Sequence, residues 1–214
     1  MKEWNNILND WEREIIYNLS VLPLRYYTVP VLMELFHIEN NEQFLFFDTI
    51  HDLSTKGFLK RENAAYSLKP EVAKSVLNEA RPGIEECSKI VNYFSDKLEV
   101  NKLEFENGFE PLFNQLAVLL DKINKNSLHI AQLSYLLSSN LIRYNKYAEA
   151  LIYNQMAVEI SEKIDSRHPL VALFYRDKAF IHKKLGDSNK AIYYSLKDIE
   201  ILEEAVQIIK ERSS

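Results

Sequence analysis

Residues 128–163 and 169–204 repeat one pattern at an offset of 41 residues, and this repeat constrains the fold more tightly than anything else in the chain. Ala131 recurs as Ala172, Tyr144 as Leu185, Ala150 as Ala191, Tyr153 as Tyr194, Ile160 as Ile201 and Glu162 as Glu203. A fixed period of this size predicts stacked helical pairs, none of which can bury its apolar face alone. Such arrays grip other proteins, so binding is the expectation for this part of the chain.

The preceding residues read differently. Apolar residues at 11, 15, 16, 19 and 22 predict a helix with one buried stripe, stopped by Pro23. Pro30, two residues after Thr28, opens a short helix ending near His37. A third helix is expected over Glu42–Lys56, capped by Asn40 or Asn41, with acids in its first turn and Gly57 ending it. Phe58–Arg61 and Tyr66–Leu68, around a turn at 62–65, predict a β-hairpin. Pro70 opens a helix to Ala80, and Arg81-Pro82-Gly83 breaks the chain. Beyond it only helices are expected, near 84–99, 109–124, 127–144, 146–164, 169–185 and 188–211. Asn114–Val118 faintly echoes Asn154–Val158. The boundary between two domains, 1–83 and 84–214, is therefore expected at Arg81–Gly83.

Charge narrows the function classes. The chain carries 26 Lys and Arg against 31 Asp and Glu, where a phosphate-backbone binder wants a basic stripe. Residues 1–83 hold nine Lys and Arg against twelve Asp and Glu. Asp48 and Asp52 lie one turn apart on the third helix, which has no arginine to read base edges. Lys56, Lys60 and Arg61 form the one cluster there suited to nucleic acid. The single cysteine, Cys87, excludes an internal disulfide and points to a reducing, cytoplasmic setting; it is expected as a small core residue. The N-terminal residues lack the apolar run of a leader, and no segment approaches the length of a membrane span.

Signs of catalysis are missing from the sequence. The four glycines lie too far apart to cradle a phosphate, the five histidines never take metal-ligand spacing, and no elbow motif marks a nucleophile. Neither enzyme activity, a cofactor nor a metal is expected.

The two parts resemble known families. Leu19-Ser20-Val21-Leu22-Pro23, Leu53–Leu59 with Gly57, and Tyr66-Ser67-Leu68-Lys69-Pro70 resemble the winged-helix segment of STAND signalling ATPases, relatives of NB-ARC and NLR proteins. Lys69 stands where that family often has a nucleotide-contacting histidine. Arg167-His168-Pro169, Val171-Ala172, Ala179, Gly186-Asp187, Ala191 and Tyr194 resemble a tetratricopeptide repeat, in the long form of kinesin light chains. Repeat one departs with Ser138 and Asn145, and repeat two with Lys178, His182 and Asp198, where small, turn, apolar or aromatic residues are usual. The resemblances imply a mainly helical protein with one small β-hairpin: a winged helix, then a right-handed superhelix of tetratricopeptide-like repeats. They imply a non-catalytic interaction module, its winged helix acting as a packing or spacer domain of a STAND-like signalling protein. A peptide or helix of a partner protein would lie on the concave face.

Mapped onto this chain, that face is Gln132, Tyr135, Ser139 and Ile142 of one helix and Leu173, Arg176, Phe180 and Lys183 of the next. Tyr135 and Phe180 are candidate anchors, and the Arg176–Lys183 edge suits an acidic segment. The opposing reading is that these aromatics simply pack on the neighbouring helix. The alternative function is a transcription regulator, with the winged helix on DNA and the repeats as sensor. The last helix carries stripes at Ile199, Leu202, Val206 and Ile209 and at Ile201, Ala205 and Ile208. It is expected to fold back on the array, with a homodimer or a continuation into further repeats as the other options.

Overall fold

The computed structural model describes residues 7–99 and 109–212, and the chain divides into two units, 1–124 and 125–214. It is mostly helical, with ten helices and one three-stranded antiparallel sheet among the described residues. None of these helices is long and apolar enough to cross a membrane.

In the first unit, Asn9 starts α1 (Asp10–Ser20) with a capping box. The Glu12 amide donates to Asn9 Oδ1 at 2.9 Å, and the Asn9 amide donates to Glu12 Oε2 at 2.9 Å. Ile15, Ile16 and Leu19 bury the inward face. Buried Glu12 keeps its other oxygen for the ammonium of Lys56, so α1 is tied to the end of the third helix. β1 (Tyr27–Thr28) leads into α2 (Val29–Leu35), with Pro30 in its first turn. α3 (Gln43–Thr55) buries Phe46, Thr49, Ile50 and Leu53, one stripe at helical spacing. Its start corrects the sequence expectation. Glu42 is the N-cap, with no side-chain cap and no acid in the first turn, and the Asn40 side chain instead accepts from the Gln43 side-chain Nε2 at 2.8 Å.

Gly57 ends α3 at φ +84°, a conformation that costs glycine little. β2 (Leu59–Glu62) and β3 (Ala65–Leu68) form the expected hairpin. β1 then adds to it, in the order β1-β3-β2, with Tyr27 opposite Tyr66 and Thr28 opposite Ala65. α4 (Pro70–Glu79) follows, opened by Pro70.

The break at Arg81–Gly83 falls inside this unit, and the next two helices group with it. Polar side chains of the first helix explain why. Asn18 is fully buried; its Nδ2 donates to the Glu86 carbonyl at 3.0 Å and its Oδ1 accepts from the Ile90 amide at 3.0 Å. It thereby caps α5 (Ser88–Glu99) from another helix. Lys122, near the end of α6 (Phe109–Lys122), donates to the carbonyls of Leu22 at 2.7 Å and Ser20 at 3.2 Å. The residues that echo 154–158 lie on α6, so they too belong to the first unit. Cys87 is buried, its thiol donating to the Tyr17 carbonyl at 3.6 Å, and burial pushes its pKa up.

The second unit reproduces the 41-residue offset helix by helix. α7 (Leu128–Arg143) and α9 (Pro169–Lys184) are both 16 residues long and start 41 apart. α8 (Tyr147–Asp165) and α10 (Ser188–Arg212) also start 41 apart. The turns match as well: Asn145 and Gly186 take positive φ, 57° and 84°. Small residues let each pair approach. Ala150 is fully buried against α7, and the Ser138 hydroxyl donates to its carbonyl at 2.8 Å. Asn154, also fully buried, donates to the Phe174 carbonyl at 3.0 Å and so pins α8 to α9.

Candidate functional site

The two odd-numbered helices of the second unit, α7 and α9, carry the residues picked from the sequence. Their faces differ in how much they leave free. On α7, Gln132, Tyr135, Ser139 and Ile142 are all half-buried. Tyr135 is engaged twice: its ring lies on Phe174 of α9, with centroids 4.8 Å apart, and its hydroxyl donates to the Asp177 carboxylate. Burial raises the Tyr135 pKa, and Asp177 raises it further. Burial also raises the Asp177 carboxyl, opposed by the bond from Tyr135 and the charge of Arg176. Tyr135 therefore packs on the neighbouring helix, the opposing reading at this position.

The α9 face is open. Arg176, Phe180 and Lys183 are exposed at i, i+4 and i+7, and Leu173 is half-buried beside them. Phe180 is 42% exposed. Its ring meets Tyr147 edge-on at 6.4 Å and lies under the Lys184 ammonium at 5.4 Å. Among the described residues no carboxylate forms an ion pair with Arg176, Lys183 or Lys184. An apolar ring beside three cations that form no ion pair among the described residues is suited to an acidic, partly apolar segment.

The other side of α9 was marked in the sequence by its departures, Lys178 and His182, without an indication of what lay over them. Both are buried, and Tyr194 of α10 covers them. Its ring stacks on His182 at 5.3 Å and on Tyr175 at 5.8 Å, with the Lys178 ammonium 4.1 Å from its centroid. Lys178 also donates to Gln155 of α8.

The last helix does not fold back through its main stripe. Ile199, Leu202, Val206 and Ile209 are exposed, and Ile201 is the residue of α10 that is buried. The repeat explains this. Ile199 and Leu202 correspond to Val158 and Ser161 of α8, which are buried, and no helix among the described residues of the unit covers that face of α10.

In the first unit, the outward face of α3 is apolar and acidic. Phe44 is 86% exposed, Leu45 and Phe47 are exposed, and Asp48, His51 and Asp52 share the surface. The signal was present in the sequence: four consecutive apolar residues, 44–47, span more than one face of a helix, so they cannot all point inward. Of the cluster suited to nucleic acid, Lys56 is committed to Glu12, and Arg61 bonds the Asn63 carbonyl at 3.1 Å, which leaves Lys60. No protein-family model matches the chain, and no curated protein matches it.

Proposed function

We propose that this chain is a non-catalytic protein-interaction module. In this reading the second unit is a superhelix of tetratricopeptide-like repeats that binds an acidic peptide or helix of a partner protein. The first unit is a winged helix serving as packing or spacer domain in a STAND-like signalling protein. The observation that carries the reading is the exposed Phe180 beside Arg176, Lys183 and Lys184, none of which forms an ion pair among the described residues. Anchors of this kind, an aromatic with arginine beside it, dominate the energy of protein interfaces. The outward face of α3 supports the packing role, because Phe44, Leu45 and Phe47 gain from meeting an apolar surface. Duplex binding through the same helix would set Asp48 and Asp52 against phosphate.

The test is affinity capture with the intact chain as bait, competed by excess free chain, and repeated with Arg176→Glu, Phe180→Ala and Lys183→Glu combined. The expected result is a protein partner that the triple variant fails to hold while its helical circular dichroism is unchanged. Full retention of every partner by that variant would sink the proposal. Salt-sensitive capture of duplex DNA, abolished by Lys60→Glu with Arg61→Glu, would favour the regulator instead.

A further inference from the structure

Beyond the Arg176–Phe180 face, we propose that the groove between α8 and α10 is a binding site for a carboxylate carried next to an aliphatic group. The groove holds about 470 Å³. Lys178 and His182 of α9 form its floor, Ile152 and Gln155 of α8 one wall, and Lys190 and Tyr194 of α10 the other.

The argument starts from Lys178. The residue is 3% exposed, and lysines this buried are ordinarily paired with a carboxylate. Here the ammonium has the Gln155 side-chain oxygen and the Tyr194 ring face. Both are attractive to a cation, but neither cancels its charge. The surrounding charges do not cancel it either. Asp187 is shared, 3.1 Å from the Lys190 ammonium and 3.9 Å from His182 Nδ1, and Glu159 accepts from the far side of the Gln155 side chain at 2.7 Å. No ion pair among the described residues joins the Lys178 ammonium to a carboxylate. Burial holds His182 below its ordinary value, and Lys190 and Lys178 add to this against the pull of Asp187.

Packing does not require a lysine at this position. The first repeat has Leu137 and Leu141 at the corresponding positions, both fully buried, on α7, a helix of the same length as α9. The position that leucine fills in the first copy holds a buried lysine in the second, beside a groove that opens to solvent. The aliphatic requirement comes from the rim, where Ile152 is 60% exposed beside Gln155. A glutamate or aspartate flanked by leucine or isoleucine meets both demands; so does a free dicarboxylate with a methylene chain.

The experiment is calorimetric titration of the intact chain with three probes: acetyl-Leu-Glu-Leu-Glu-amide, its glutamine counterpart acetyl-Leu-Gln-Leu-Gln-amide, and glutarate. The glutamate peptide is expected to bind about tenfold or more tightly than the glutamine peptide, a discrimination that one charge contact can supply. Lys178→Met and Lys190→Gln should each weaken it several-fold, whereas Arg176→Glu with Phe180→Ala should leave it unchanged. That last variant separates this site from the proposed partner face. Glutarate binding as tightly as the peptide would assign the groove to free dicarboxylates, and weaker glutarate binding would assign it to peptides. Lys178→Met is expected to melt no lower than the parent, since leucine fills this position in the first repeat. The proposal is overturned by equal binding of the glutamate and glutamine peptides, by no binding of either anion at millimolar concentration, or by Lys178→Met binding as the parent does.

Discussion

Asn18 is the residue whose removal tells most about how the first unit is built. It holds α5 to α1 by two bonds across 68 and 72 residues of sequence. Ile90 is the third residue of α5, so its amide has no partner within that helix. Asn18→Ala leaves this amide without a partner in a buried place and takes a donor from the partly buried Glu86 carbonyl. Each orphaned group costs about 1–3 kcal/mol, so the expected loss is about 3 kcal/mol and at most ~6. That is a large share of a domain stability of about 5–15 kcal/mol. With an m-value of about 1.5–2 kcal/mol/M, it moves the urea midpoint by roughly 1.5–2 M. The chain reports this selectively: both tryptophans, Trp4 and Trp11, belong to the first unit and the second has none. Tryptophan fluorescence should therefore show an early transition while the second unit's contribution to far-ultraviolet circular dichroism keeps its midpoint. Asn18→Leu separates causes, since leucine fills the volume but makes no hydrogen bond. If polar satisfaction is the reason, Asn18→Leu is as damaging as Asn18→Ala. A leucine variant as stable as the parent, or an alanine variant losing under ~1 kcal/mol, would refute the reasoning.

The turns, a buried ion pair and one histidine supply the remaining predictions. Gly186→Ala should cost about 1–2 kcal/mol by urea unfolding, all of it backbone, because φ is +84° and nothing lies within 4 Å of an added Cβ. Asn145→Gly, at the matching turn, should stay within about 0.5 kcal/mol of the parent, since asparagine already tolerates φ 57°. Lys56→Met strands the buried Glu12 carboxylate and should cost about 1–3 kcal/mol, discounted because the lysine itself is partly in solvent. His182, pushed down by burial and by Lys190, binds its proton more weakly in the folded unit than in the unfolded chain. Its contribution is thus intact above an unfolded pKa of about 6.5 and is lost as pH falls through that value toward its folded one. Melting of the second unit should drop between about pH 7 and pH 5, and His182→Gln should flatten that drop.

Much of this architecture was legible because it is local. The 41-residue offset, the small residues at Ala150 and Ala191 and the turn residues Asn145 and Gly186 act within one or two turns of helix, and the helices start where the repeat puts them. What was not legible depends on residues meeting from far along the chain. β1 is two residues long, too short for any alternation to show, and exists only because Tyr66 and Ala65 lie opposite. The grouping of α5 and α6 with the first unit rests on Asn18 and Lys122, whose polarity in sequence suggests solvent rather than a buried cap. At the candidate site, helical spacing put Arg176, Phe180 and Lys183 on one face but gave no hint that Tyr135 would spend its ring on Phe174 and its hydroxyl on Asp177. Lys178 and His182 stood out as departures from the repeat, yet their cover, Tyr194, arrives on another helix.

The uncovered stripe of α10 sets a gradient of protection along the second unit. α8 is flanked by α7 and α9, whereas α10 makes its close contacts with α9 alone. An amide exchanges with solvent whenever its turn opens, and a turn opens most often where one side has no neighbour to hold it. Deuterium should therefore enter the last turns of α10 within the shortest labelling times, advance toward Ile201, and reach Ala150, Ala157 and Ala172 only when the pairs come apart together. The unit melts from one end, as a short one-dimensional stack, and that end is the one bearing Ile199, Leu202, Val206 and Ile209.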